Sequence, residues 1–129
     1  MKTNSISKII AFMVVLLFTA AAYAGVPRPP SDLKLQVKDN GILLTWKASP
    51  DDPENVTAYE VVRSTLASGP FKQVGKVKKG ATEFFDRTAK PENIYFYKVR
   101  SIMGESFSNF TRPVTGEITG SGLKNQKSK

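Results

Sequence analysis

The chain contains no cysteine and no histidine, and each absence removes a class of chemistry. Without thiols there can be no disulfide, no cysteine nucleophile and no lipid anchor on cysteine. Without imidazole there can be no Ser-His triad, and lacking both residues excludes the ordinary zinc sites. These absences exclude those mechanisms and sites, and we expect no metal and no cofactor. Stability must come from a hydrophobic core alone.

The acidic residues also lack an arrangement that favours catalysis or metal binding. Asp51, Asp52 and Glu54 lie on one short segment that two prolines interrupt. A calcium loop needs six or more oxygens at defined spacing, and this segment does not have that spacing. We find no group that should face these carboxylates for acid–base chemistry. The segment is interpreted as a polar turn between strands.

The first 24 residues have the pattern of a secretory signal peptide. Lys2 and Lys8 give a positive start, residues 9–18 are apolar, and Ala22-Tyr23-Ala24 is a small-x-small cleavage site. The uncharged stretch is shorter than the ~20 residues of a membrane-spanning helix. We expect cleavage after Ala24, export to the periplasm or the outside of the cell, and no stable membrane insertion afterwards.

The formal net charge of +8 allows an anionic partner. For an exported protein an acidic polysaccharide or an acidic surface is a more suitable partner than nucleic acid, and no nucleic acid is expected. Plain solubility is the alternative reason for such a charge.

Short runs of alternating apolar and polar residues follow a Pro-rich lead-in at residues 25–31. This period of two predicts half-buried strands, and no helical pattern interrupts them. The domain is predicted over residues 32–118, and residues 119–129 are predicted to be a disordered basic tail. Trp46, Tyr95 and Tyr97 are expected to be structural. The predicted core comprises Leu33, Leu35, Leu44, Trp46, Tyr59, Val61, Tyr95, Tyr97 and Val99.

The order of the strand motifs resembles the fibronectin type III family. The matching pieces include Leu44-Thr45-Trp46, Ser68-Gly69-Pro70-Phe71 and Tyr95-Phe96-Tyr97-Lys98-Val99. The resemblance implies an all-β, immunoglobulin-like, seven-stranded β-sandwich of fibronectin type III topology, with the Tyr95 hydroxyl bonded to backbone in the loop at residues 87–92. It also implies an adhesive, spacer or scaffold role without catalysis. The sequence motifs Arg63-Ser64-Thr65 and Gly69-Pro70-Phe71 are similar to those of modules in secreted bacterial proteins. The Arg-Gly-Asp of the adhesive members is missing, because Met103-Gly104-Glu105 occupies that loop.

One sheet surface is the candidate binding site. The alternation places charged and apolar residues together on the face opposite the core, where Glu60 and Lys72 are also expected. Two interpretations stay open: a solvated sheet in which Glu60 pairs with Lys98 or Arg100, and a surface that docks an anionic partner. The candidate residues are Val62, Lys76, Phe96, Lys98, Arg100, Ile102, Met103 and Glu105.

The function predicted on this basis is that of an exported, monomeric binding, interaction or scaffold module. The alternative is an accessory module that binds cell-wall or extracellular polysaccharide. The partner would be a protein or an anionic polysaccharide. Sugar binders usually expose a row of aromatic rings, for which Phe96, Phe107 and Phe110 are the candidates, and packing within the domain is the competing role for these rings.

Overall fold

The computed structural model describes residues 25–119, so the predicted signal peptide and the predicted tail beyond Thr119 lie outside the described residues. Among the described residues, no helix is long and apolar enough to cross a membrane. The described strands are β1 (Ser31–Lys38), β2 (Gly41–Lys47), β3 (Ala58–Ser64), β4 (Lys72–Lys78), β5 (Glu83–Asp86), β6 (Ile94–Met103), β7 (Ser106–Phe107) and β8 (Val114–Glu117).

The strands form two antiparallel sheets. One has three strands in the order β1-β2-β5, and the other has five, with β4-β3-β6 followed by β7 and β8, which both pair with β6. This is the predicted seven-stranded β-sandwich, with its last strand divided in two. The division spans residues 108–113 and ends at Pro113, which has no N–H to give to a ladder. Of the two outcomes that this proline allows, an edge position or an interruption, the strand shows the interruption.

The inward faces of the sheets meet in the predicted core. Seven of the nine predicted core residues are buried, and Leu33 and Leu35 of β1 are partly buried against them. Trp46 packs on Tyr59, with ring centroids 5.7 Å apart. Val37, the next apolar residue of β1 after Leu35, is 43% exposed. It lies beside the turn at the end of an edge strand, where the second sheet does not cover it.

Tyr95 makes the predicted bond to the loop that precedes β6. The backbone N–H of Lys90 donates to the Tyr95 hydroxyl at 2.9 Å, and the side-chain amide of Asn93 donates to it at 3.2 Å. The hydroxyl of a buried tyrosine thus satisfies backbone that would otherwise lack a partner. The prediction for this residue is confirmed.

The Pro-rich segment is more than a lead-in, because it packs against the domain. Pro27 is buried, and the carbonyl of Arg28 accepts hydrogen bonds from Ser49 Oγ at 2.7 Å and Ser101 Oγ at 2.6 Å. Ser49 follows β2 and Ser101 lies on β6, so this one carbonyl joins the two sheets. The guanidinium of Arg28 also pairs with Asp51 at 2.8 Å.

The acidic loop has structural partners. Besides the pair between Asp51 and Arg28, Asp52 Oδ2 accepts from the Tyr59 hydroxyl at 2.8 Å and from the Gly80 N–H at 2.7 Å. These bonds tie the loop to β3 and to the turn after β4, in agreement with its interpretation as a polar connection.

A buried carboxylate that the sequence did not indicate joins the sheets at the other end. Asp86 of β5 is 2% exposed. Its Oδ2 accepts from Tyr97 Oη at 2.7 Å and from Arg63 Nη1 at 2.8 Å. Its Oδ1 accepts from the backbone N–H and the hydroxyl of Thr88 at 2.9 and 2.7 Å. Burial alone would raise the pKa of Asp86, but these four hydrogen bonds outweigh burial and hold that pKa below its usual range.

We predict that Asp86→Asn lowers the free energy of unfolding at pH 7 by about 3 kcal/mol, because it leaves the Arg63 charge without its buried partner. The folded pKa lies below the unfolded value of about 3.9, so this stabilisation is present at neutral pH and disappears as pH falls through the folded pKa. Urea unfolding across pH measures both effects. Glu83→Gln, which removes an exposed carboxylate of the same strand, is the control. We name Asp86 and its hydrogen-bond donors Tyr97, Arg63 and Thr88 the latch. If Asp86→Asn kept the acid sensitivity of the parent, this role of the latch would be refuted.

Candidate binding face: alternating cations and aromatic rings

The outer surface of the five-stranded sheet carries a row of alternating rings and cations. Lys98 Nζ lies 4.1 Å from the Phe71 ring centroid and 5.9 Å from that of Phe110. Arg100 Cζ lies 4.6 Å from the Phe110 centroid and 4.0 Å from that of Phe107. Each cation therefore has a ring on either side. We name this row Phe71–Lys98–Phe110–Arg100–Phe107 the ladder.

Each contact in the ladder is worth about 0.5–1 kcal/mol at an exposed site. Phe107 and Phe110 are 44% and 36% exposed, so the rings remain accessible. Of the two roles considered from the sequence, exposure to a ligand and packing within the domain, Phe107 and Phe110 therefore fit the first. The contacts also restrict the rotamers of long side chains, which lowers the entropy lost when a ligand binds.

A local irregularity after β7 brings both rings to the same side. Ser108 and Thr111 each exchange two bonds with β6: their N–H groups donate to the Ser101 and Val99 carbonyls, and their hydroxyls accept from the N–H groups of those residues. Ser108 and Thr111 therefore occupy equivalent positions beside β6 although they are three residues apart, whereas regular alternation repeats every two residues. The same step relates Phe107 and Phe110. Simple alternation would have placed these rings on opposite faces.

Arg100 makes the cross-strand ion pair that one interpretation predicted. Glu60 lies directly opposite it, and Arg100 Nη2 is 3.2 Å from Glu60 Oε2. Their side chains are 24% and 12% exposed, so the pair is shielded from water more than a surface pair is. Lys98 instead contacts the rings of Phe71 and Phe110.

Two apolar candidates are not available to a partner. Val62 is 3% exposed and Ile102 is 5% exposed, so the prediction that they would supply contact area is wrong. Val62 lies opposite both Lys98 and Gln73, and Ile102 lies opposite Phe107. Long neighbours on the same surface flank both side chains. Apolar contact on this face must therefore come from the rings.

The β4 lysines lie on different faces. Lys76 is opposite Glu60 and shares the outer face, as predicted. Lys72 is opposite Arg63, which points toward the other sheet. The prediction that Lys72 lies on the outer face is therefore wrong. A β-bulge near Val74 breaks the alternation between the two lysines. Lys72 instead borders a cleft of 290 Å³ lined by Arg63, Ser64, Thr65, Leu66, Pro70, Lys72 and Val74.

The remaining candidates border the ladder without joining its cation–ring contacts. Phe96 is half-buried opposite Thr115 of β8. Met103 pairs with Ser106, and Glu105 is exposed in the turn between them. Sequence reasoning missed Phe71 altogether, because this ring reaches Lys98 from the loop before β4.

No family model matches the chain. Among solved structures, a Fn3-like protein from Clostridium thermocellum is 22% identical with a TM-score of 0.60, over 70% of this chain and 92% of that one. The pectate lyase Pel3 of Pectobacterium carotovorum is 31% identical with a TM-score of 0.50, over 60% of this chain and 24% of the lyase. An amylopullulanase of Thermoanaerobacter thermohydrosulfuricus is 26% identical over 87 residues, which is 66% of this chain and 6% of that enzyme.

We predict that Thr111→Val destabilises the domain by about 1–3 kcal/mol, because the Val99 N–H loses its hydroxyl acceptor without a change in side-chain shape. The ring-current shift of the Lys98 methylene protons should shrink as Phe110 moves. Urea unfolding and proton NMR measure these two effects. Thr111→Ser keeps the hydroxyl and should behave like the parent. Parent-like stability and shifts in Thr111→Val would show that the hydroxyl does not position the ring.

Proposed function

Because the chain is a fibronectin type III-like domain with a cation–aromatic ladder on its outer sheet, we propose that it is an exported, non-catalytic module that binds polysaccharide through that surface. The ladder is the observation that carries the proposal. It combines exposed rings with hydrogen-bond donors on the outer surface of a sheet, which suits an extended polymer better than a small ligand enclosed in a pocket.

The acidic residues support a role without catalysis. Asp51 pairs with Arg28, and Asp52 accepts from Tyr59 and a backbone N–H. Asp86 is buried and fully engaged between the sheets. A general acid or base has to reach a substrate proton, and these carboxylates are committed to holding the fold.

Two of the similar proteins support polysaccharide as the partner. Pectate lyase and amylopullulanase are the names of enzymes that act on polysaccharides, and this chain is similar to a fraction of each. It spans 6% of the amylopullulanase, so the similarity supports an accessory role and does not extend to the activity. The predicted export would bring such a module to extracellular polymers.

The positive charge of the chain adds to this function. Removal of Lys2 and Lys8 by the predicted cleavage would lower the formal net charge from +8 to 8 − 2 = +6, and this charge would concentrate acidic polymers near the surface before specific contacts form. The rings would then provide short-range contact.

The test is affinity electrophoresis of the purified protein in gels that contain one polysaccharide each, across neutral and acidic types. We expect retardation by at least one polymer. Phe107→Ala combined with Phe110→Ala should weaken that binding about tenfold, equivalent to about 1.4 kcal/mol. Leu66→Ala with Ile94→Ala is the matched control, since both residues are exposed and apolar but lie outside the ladder.

Thermal melting of both variants checks that the fold persists. If no polysaccharide retards the protein, or if the ladder variant binds like the parent, the proposal is wrong. If the protein bound an acidic protein and no polysaccharide, the surface would be assigned to a protein partner instead.

A further inference from the structure

The cations of the ladder occupy the faces of its rings. Lys98 lies between Phe71 and Phe110, and Arg100 lies between Phe110 and Phe107. An aromatic ring has negative potential on its faces and positive potential at its edges. Each ring of the ladder therefore turns a face toward at least one cation.

This orientation decides which ligands fit. A neutral sugar binds an aromatic side chain by laying its apolar side on the ring face, and each ring of the ladder already has Lys98 or Arg100 over a face. Beside its rings the ladder presents ammonium and guanidinium groups, which are positively charged and donate hydrogen bonds. Such a surface favours oxygen-rich, anionic groups.

The charged residues around the ladder also favour an anionic ligand. Glu60 lies between Lys76 of β4 and Arg100 of β6 on the outer face. It pairs with Arg100 at 3.2 Å, and the cations of this outer face, Lys76, Lys98 and Arg100, outnumber this one carboxylate. Lys76 is exposed and Lys98 is partly exposed, and both ammonium groups can therefore reach a ligand.

The ladder is also extended and open. Lys98 and Arg100 are two residues apart on β6, which separates their attachment points by about 7 Å. The row of side chains continues from Phe71, beyond β3, to Phe107 on β7. A polymer with repeated charges can lie along such a row, whereas a single anion would use only one cation.

We infer that the ladder is selective for polyuronates, acidic polysaccharides whose repeating sugars carry carboxylates. Lys98 and Lys76 pair with the carboxylates, and the rings contact the sugar units between them. The inference rests on the proposed function, which requires only that some polysaccharide binds this surface.

The test compares one polymer in two charge states, polygalacturonate and its methyl ester of the same chain length, by titration calorimetry at low salt. We expect the acid form to bind at least about tenfold more tightly than the ester. Lys76→Gln with Lys98→Gln should lose at least about tenfold in affinity for the acid form and change little for the ester. Lys38→Gln with Lys90→Gln removes the same charge from exposed positions on β1 and in the loop before β6, away from the ladder and Lys76, and should cost less than about threefold.

The outcomes separate the two proposals. If acid and ester bind equally and the phenylalanine double variant still loses both, the proposed function stands and the polyuronate inference is wrong. If neither form binds, and no other polysaccharide does, both are wrong. Polyglutamate is the non-sugar polyanion control, and binding as tight as that of polygalacturonate would overturn sugar recognition. Unchanged melting temperatures are required of every variant.

Discussion

The buried carboxylate of Asp86 is the constraint on which the rest of this sandwich depends. A two-sheet domain without disulfides has to fix the position of one sheet on the other by packing and polar contacts alone. Asp86 comes from the three-stranded sheet and accepts hydrogen bonds from Tyr97 and Arg63 of the five-stranded sheet. Because β6 alternates, an inward Tyr97 obliges its neighbour Lys98 to point outward. The latch in the core thereby supports the position of the ladder on the surface.

A second link joins the sheets beyond the other end of β2. Asp86 is opposite Ile42 at the beginning of β2, and Ser49 follows the end of that strand. There the Arg28 carbonyl accepts from Ser49 and Ser101, so a segment outside every strand completes the connection. Polar links at both ends leave the apolar centre around Trp46 and Tyr59 to provide the burial energy. The residues that face away from the core are then not needed to hold the two sheets together.

The alternation of residues predicted much of this architecture. It indicated the strands, most of the core and the outward residues of β6, because one buried face imposes a period of two. Tyr95 was predicted from its place at the start of β6. Alternation could not reveal the bulges, since one extra residue reverses the faces that follow. Lys72 was misplaced for that reason, and Phe107 and Phe110 share a face for the same reason.

Other features depend on contacts between residues far apart in the chain. Phe71 reaches Lys98 from a loop, and Asp86 meets Arg63 from the opposite sheet. Val62 and Ile102 were assigned to the correct face, yet neighbours that a pattern cannot show leave them almost without exposure. The sequence therefore indicated which surface carries the cations. The structure adds that rings separate these cations and that the contact area belongs to the rings.

The central claim is that the ladder is the binding surface, and NMR mapping tests it most directly. Backbone amide shifts of the labelled protein would be followed during titration with a galacturonate oligosaccharide. The account predicts that the largest shifts fall on Phe71, on the outward residues of β6 and on residues 106–111. Shifts concentrated on β1 or on the acidic loop at residues 48–56, with the ladder unchanged, would contradict it.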